Sequence, residues 1–549
     1  MPIDPHIVLE PSITKSLPGA YFIGPFGRRV SFASQQRRVL NTIWALEETG
    51  KLQCEDRVAI VGAGLAGVTA AIGLASRGMN VFLYEASPNI LSLQSQTNHR
   101  FVHPSINFWP EEKLETTTYF PFFDWTPGIC DRIVGSLKDE WENLKKRPEI
   151  SSRIQKFIRN AEVEEIVPEL DGTISLVCTD RSQNGHEYKA VIVSTGFGEE
   201  KIPKGVDAPS YWQQDPIEHR VRDGKGRTFF VSGIGDGGLI DALRLVHKRF
   251  DMGTFCVEIA HRLDESGNSD RLKKIEINAK NEFSKQLRVI TRDTTDEEFA
   301  ESLMKIREDL SHKLNEDYTN FLKSELHDTV EDILDSSLIV DINRRVNLVG
   351  ETSYPYYINS APIHRLLIAH AIDKGAINYD SGRLESTSDG KLVVISSGVS
   401  EREINADYIV ARHGSEFPIK RFFSNSEDLN DLRARQEDNV NWLAGDLYPI
   451  DHFCISDTEK RTDRNAEYIH SRLSKVKKYS MDYIRGFASA RKADFSEGDP
   501  GQYVYEIVPM PEYGEIRHEL LPKELFRVSV VKGSRDVFLP GVWAQEESK

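Results

Sequence analysis

Two Gly-x-Gly-x-x-Gly segments, each set between a β-branched run and an apolar helix, predict an α/β chain. Its expected form is two Rossmann-like dinucleotide-binding domains with a helical insertion and an α+β C-terminal region. A second observation is an acid, Glu85, about twenty residues beyond the first turn. A third is a charged, helix-patterned stretch over 264–335 that interrupts the second unit. The expected boundaries are 1–56 for an N-terminal extension with a helix and 57–225 for the first domain. The second domain follows over 226–420, and 421–549 returns to the first domain before a C-terminal region.

Residues 1–30, rich in Pro, Gly and aromatics, predict an irregular lead-in. Val39, Leu40, Ile43 and Leu46 fall on one face and predict a helix over Ser34 to Leu46. In 57–86, RVAIVGAGLAGVTAAIGLASRGMNVFLYEA, the run Val58, Ile60 and Val61 suits a buried parallel strand. Gly62 permits a tight turn, Gly64 admits a pyrophosphate to the backbone, and Gly67 lets helix and strand pack closely. The next strand, Val81 to Leu83, ends near Glu85, where a carboxylate can accept ribose hydroxyls. The helix N-terminus between them attracts phosphate.

This order resembles the N-terminal FAD fingerprint of the two-dinucleotide-binding-domain flavoproteins, a superfamily that includes disulfide reductases and flavin monooxygenases. The resemblance covers roughly residues 57 to 90 strongly and is pattern-level elsewhere. It implies that Glu85 holds the adenosine ribose of FAD and that Gly62, Gly64 and Gly67 face its pyrophosphate. Ala63, Leu65, Ala66 and Ala86 belong to the same cofactor-binding stretch. It also implies that the segment after Glu85 runs along FAD toward the flavin ring. Arg100 is then expected at a phosphate, with His103 and Trp109 at the ring pocket. His103 is the candidate acid–base residue, because an imidazole titrates unaided near neutrality.

A strand at Val163 to Val167 and a hairpin near Asp171-Gly172 follow. AVIVSTGFG (Ala190 to Gly198) then resembles the strand and turn that close an FAD domain, with Thr195 and Gly196 in the turn. NWLAGD (Asn441 to Asp446) resembles the late Gly-Asp motif of such flavoproteins, which places Asp446 at the ribityl chain. No FxGxxxH fingerprint of flavin monooxygenases lies between the glycine motifs, where the chain reads PSYWQQDPIEHRV.

Gly233, Gly235 and Gly238 repeat the glycine spacing and predict a second nucleotide site, for NADH or NADPH. A strand expected over Thr254 to Ile259 carries Glu258 where an acid accepts an unphosphorylated ribose, and Arg262 nearby suits a 2′-phosphate. Asp236 conflicts with this site, since a carboxylate about 4 Å from a pyrophosphate costs roughly 4 kcal/mol at an effective dielectric near 20. The aromatic run YPYY offers Tyr354, Tyr356 and Tyr357, with His364 beyond, as substrate-facing candidates. ADYIVARHG (Ala406 to Gly414) falls where the second domain's closing strand belongs, with Arg412-His413 in place of small residues. The tail predicts a helix over Asn465 to Arg485 and strands at QYVYEIV and LFRVSVV.

A net charge of −16 disfavours nucleic acid as a partner. No run of about eighteen apolar residues predicts a membrane span, and the first residues lack the pattern of a secretory signal. The five scattered cysteines, without CxxC, fit a reducing cytoplasm and remove the disulfide reductase branch. The resulting expectation is an FAD-dependent oxidoreductase. It passes hydride from NADH or NADPH to flavin and onward to oxygen or an organic small-molecule acceptor, in a chain that can form a homo-oligomer. Two alternatives stand beside it: an FAD oxidase reduced by its own substrate, and a non-catalytic nucleotide sensor.

Overall fold

The computed structural model describes residues 4–453, apart from 116, 204–205, 207, 216, 218–226, 249, 251–252, 340–343, 387–391, 396–400, 439–445 and 450–451. It also describes the strands Phe487–Arg491 and Glu506–Pro509. The first sheet is wholly parallel, in the order Ala20–Phe22, Ala190–Val193, Arg57–Val61, Asn80–Glu85, Ile154–Arg159. The lead-in is therefore partly ordered: its Ala20–Phe22 strand closes one edge of this sheet.

Helix Leu65–Ser76 is buried from Leu65 through Ala75. Its small and aliphatic residues suit a position between the sheet and helix Phe32–Glu48, against which it packs. A Cβ at Gly73 would stand 3.1 Å from Ile43, so the two helices approach closely there. Ser31 and Ser34 cap Phe32–Glu48 reciprocally, Ser34 N donating to Ser31 Oγ and Ser31 N to Ser34 Oγ. Burying Leu40 and Ile43 at this contact contributes about 1.5–3 kcal/mol each.

The second sheet is also parallel, in the order Asn378–Ser381, Arg345–Gly350, Thr228–Ser232, Tyr408–Ala411. The segment expected as a strand at Thr254 to Ile259 is instead part of helix Thr254–Ser266. Phe255, Ile259 and Leu263 recur at helical spacing and bury one face, a period that a short apolar run does not reveal. Helices Ser269–Leu287, Asp296–Ser324 and Asp328–Ser337 then precede the next strand of the sheet, in agreement with the expected insertion.

This insertion is not a solvated excursion. Leu303, Leu310, Leu314 and Phe321 are buried along its longest helix, which Thr295 and Glu298 cap. Fully buried Glu276 accepts from Arg29, Arg365 and Tyr318, tying the insertion to the lead-in and to helix Pro362–Asp373. Strands Phe487–Arg491 and Glu506–Pro509 pair antiparallel. The helix expected at Asn465 to Arg485 and the strand at LFRVSVV lie outside the described residues. No described helix is long and apolar enough to cross a membrane.

Candidate dinucleotide sites in a shared cavity

Both glycine turns open into one cavity of about 1970 Å³. In the first, Gly62 has φ +99°, and a Cβ there would meet Ser194 O at 2.7 Å. A Cβ on Gly67 would lie 1.8 Å from Gly62 O, whereas one on Gly64 would meet nothing within 4 Å. Two glycines thus permit tight backbone packing and the third keeps the cavity floor clear. That is the cradle a pyrophosphate needs.

Glu85 closes this end of the cavity. Its Oε2 accepts from Ala63 N at 2.6 Å and its Oε1 from Ser87 N at 2.7 Å, fixing the carboxylate at the edge of the turn. Leu65, Ala66 and Ala86 line the same wall. Thr195 and Gly196 face it from the end of the neighbouring strand, and Ser194 Oγ donates to Val61 O and Gly62 O. These residues fit a dinucleotide: open floor, free helix N-terminus and oriented acid stand in the required order.

The second turn repeats the design. Gly233 has φ +119° and a Cβ there would lie 2.0 Å from Arg412 O; Gly238 would meet Gly233 O at 1.9 Å; Gly235 is open. Gly62 N donates to Tyr84 O and Gly233 N to Val349 O, both at 2.8 Å. Register therefore puts Gly350, not Glu258, where the first unit has Glu85. A Cβ on Gly350 would meet Ile234 at 2.5 Å, so no side chain is accommodated there. Glu258 and Arg262 ride on helix Thr254–Ser266 and do not line the cavity, so neither expectation for a ribose holds. The next acid on the strand side is Glu351, which accepts from Arg383 at 3.1 Å and from Tyr357 Oη at 3.4 Å.

Asp236 lines the cavity, but its charge is met. Oδ1 accepts from Ala361 N at 2.7 Å and lies 2.8 Å from His364 Nδ1. Burial opposes charge on the imidazole, yet the hydrogen bond and charge of Asp236, with a smaller contribution from Cys256, override it and raise His364 to about 10. His364 and Tyr357 line the cavity; Tyr356 is buried in the core instead.

Three more expectations are corrected. Arg100 does not reach a phosphate: it is buried, stacked 3.8 Å from the Tyr211 ring centre, and bonded to Asp241 at 2.5 Å. Asp241 also accepts from Arg244 and Arg412, a network that fixes the second domain beside the first. Trp109 is buried in the second domain's core, its Nε1 donating to Asp264 at 3.0 Å, and does not line the cavity. Asp446 pairs with Arg37 at 3.3 Å, away from the cavity lining. The rest of its motif, 441–445, lies outside the described residues.

His103 does line the cavity, but burial pushes its pKa down to about 3. Its Nδ1 accepts from Ser105 N and Ile106 N, both at 3.2 Å, which assigns the proton to Nε2. It is a neutral donor rather than a group that titrates near neutrality. Sequence reasoning passed over Trp125, Trp212, Cys256 and Arg307, which line the cavity from distant segments without any motif.

Residues 57–156 match the model of the FAD dependent oxidoreductase family. No curated protein matches the chain. Among solved structures it is similar to a bacillithiol disulfide reductase, Bdr, from Staphylococcus aureus at 11% identity, covering 67% of this chain and 79% of that one, with TM-score 0.34. A thioredoxin reductase from T. acidophilum is 12% identical over 69% of this chain and 97% of its own, with TM-score 0.29. OTEMO in complex with FAD and NADP is 10% identical over 77% of this chain and 86% of its own, with TM-score 0.31. These scores are low, so the assignment stands on the family match and the paired glycine cradles. On those grounds residues 57–156 are similar to an FAD dependent oxidoreductase, and the glycine cradle at Gly62–Gly67 within them is repeated at Gly233–Gly238.

Proposed function

We propose that this chain uses FAD to oxidise NADH or NADPH and passes the electrons to oxygen or a small organic acceptor. The observation that supports this reading is the second glycine turn, intact in backbone geometry and open to the same cavity as the first. Bound FAD supplies the electron-transfer chemistry; the protein supplies position and exclusion of water.

In this reading Gly62, Ala63, Gly64, Leu65, Ala66 and Gly67 receive the FAD pyrophosphate on the backbone, Glu85 takes the adenosine ribose, and Thr195-Gly196 flank the cofactor. Gly233, Gly235 and Gly238 receive the nicotinamide nucleotide's pyrophosphate. The Asp236–His364 pair keeps the nearby carboxylate charge balanced. Phe32, Phe101, Trp125 and Trp212 wall the cavity with aromatic surface that displaces water. His103 contributes one fixed hydrogen-bond donor there.

Visible spectra of the purified protein, before and after anaerobic NADH or NADPH, test the proposal. Bound flavin that bleaches with either donor is the expected result. Bound flavin that stays oxidised with both removes the nicotinamide step and leaves an FAD oxidase or a non-catalytic nucleotide sensor.

A further inference from the structure

His103 stands between strand Phe101–Val102 and the turn Ile106–Phe108, which hold its ring in one tautomer. Its Nδ1 accepts from Ser105 N and Ile106 N, both at 3.2 Å, so the ring proton sits on Nε2. The residue is only 7% exposed and lines the cavity. Among the described residues nothing accepts from that Nε2–H, which opens on the cavity. A buried donor without a partner is costly, so the position calls for an acceptor that arrives with a ligand.

The wall beside this donor is apolar. Phe101, Val102 and Ile106 line it, and a Cβ on Gly253 would lie 3.6 Å from that of Phe101. Gly253 precedes helix Thr254–Ser266, whose first turn adds Cys256 and Val257 to the lining. A neutral imidazole in such a wall offers no charge to balance a carboxylate or a phosphate. An uncharged carbonyl oxygen needs one donor and no counter-charge. In the same cavity Phe32 stacks on Trp212 at 5.9 Å between ring centres and meets Trp125 edge-on at 6.1 Å. Flat aromatic surface with a lone neutral donor suits a planar, conjugated carbonyl compound.

We propose, on the reading that electrons leave FAD for an organic acceptor, that this acceptor is a quinone whose carbonyl oxygen accepts from His103 Nε2–H. As two electrons reach the ring, that oxygen gains negative charge, and the hydrogen bond strengthens. His103 keeps its proton throughout. NADH or NADPH and one proton from solvent convert one quinone to one hydroquinone, and the nicotinamide is oxidised.

Two measurements on the full-length, flavin-loaded protein test this, with flavin content checking that each variant is folded. Menadione, isotope-labelled at its carbonyl carbons, is bound to the oxidised protein and its C=O stretch is read by infrared difference spectroscopy. A band shifted down in the unmodified protein, and returned to the free position in His103→Phe, is expected. A shift confined to the flavin carbonyl bands places the donor on FAD and overturns the proposal. Flavin reduced photochemically, without nicotinamide, is then mixed with menadione or with oxygen, and the return of its absorbance is timed. His103→Phe is expected to slow the menadione reaction about a hundredfold and to spare the oxygen reaction. His103→Gln, which keeps an N–H donor, is expected to recover part of the menadione rate. Equal slowing with both oxidants, no slowing, or no reaction with menadione overturns the proposal. Bleaching by NADH or NADPH is read separately, so failure of the nicotinamide step is not mistaken for failure of the quinone step.

Discussion

Asp236 Oδ1 and His364 Nδ1 lie 2.8 Å apart at the mouth of the second glycine turn. The pair joins the first residue of one helix to the first turn of another, 128 positions along the chain. It answers the electrostatic conflict that Asp236 poses in the sequence. The carboxylate that would repel a pyrophosphate is neutralised by an imidazolium drawn from a distant segment.

A pH signature follows from that pair. His364 is raised from its ordinary value to about 10, so its contribution to stability is full below about pH 6.5 and is lost as pH rises through about 10. Asp236 is lowered, because the His364 hydrogen bond and charge outweigh burial, so its contribution is present above the ordinary carboxylate range and fades in acid. Asp236→Asn should cost about 1–3 kcal/mol at neutral pH, because the carboxylate is partly open to the cavity, and the gap to the unmodified protein should shrink in alkali. Urea unfolding midpoints of both proteins at neutral pH and above pH ~10 check this; a gap independent of pH would refute it.

The glycines of the first turn separate folding from cofactor binding. Gly64→Asp adds a side chain where nothing lies within 4 Å, so the fold should survive. Its charge would meet the FAD pyrophosphate with about 4 kcal/mol of repulsion at an effective dielectric of about 20, roughly a thousandfold in affinity. Gly67→Ala puts a methyl 1.8 Å from Gly62 O and should cost stability instead, about 1–3 kcal/mol or more. Flavin absorbance per protein and thermal midpoints, measured on both variants, distinguish the two effects. Full flavin occupancy in Gly64→Asp would remove the first turn from the cofactor site.

Asp241 carries a heavier structural role than its position in a helix suggests. It is fully buried and accepts from Arg100, Arg244 and Arg412, whose charges outweigh burial and hold its carboxyl well below the usual range. Asp241→Asn leaves guanidinium charge buried and should destabilise the protein by about 3–5 kcal/mol. Arg100→Ala should likewise lower the thermal midpoint rather than the affinity for FAD. A selective loss of FAD binding in that variant would return Arg100 to the cofactor site.

His103 bears on the pH dependence of turnover. With its pKa pushed down by burial to about 3, it is neutral throughout the range of about pH 5 to 8 in which an unperturbed imidazole titrates. His103→Gln should therefore leave the shape of a pH–rate profile intact there, whatever it does to its height. Loss of an inflection near neutrality in that variant would show that His103 titrates during the reaction.

The sequence by itself determined the two nucleotide units, because each is a local device. Glycine spacing, a β-branched strand and an apolar helix are contiguous, and the tightest approach within each unit, Gly67 to Gly62 O and Gly238 to Gly233 O, is made inside the motif itself. Glu85 was legible for the same reason, one strand beyond its turn. Tertiary structure decided what depends on distant partners. Thr254 to Ile259 became a helix because Phe255, Ile259 and Leu263 found a core to cover. Gly350 took the position expected for Glu258 because the neighbouring strand came from beyond the insertion. Arg100 went to Asp241, Trp109 to Asp264 and Asp446 to Arg37 because buried or half-buried polar groups bond to whatever the packing brings near. No spacing in the chain shows that His364 and Asp236 share a wall; two helices had to pack before those side chains became neighbours.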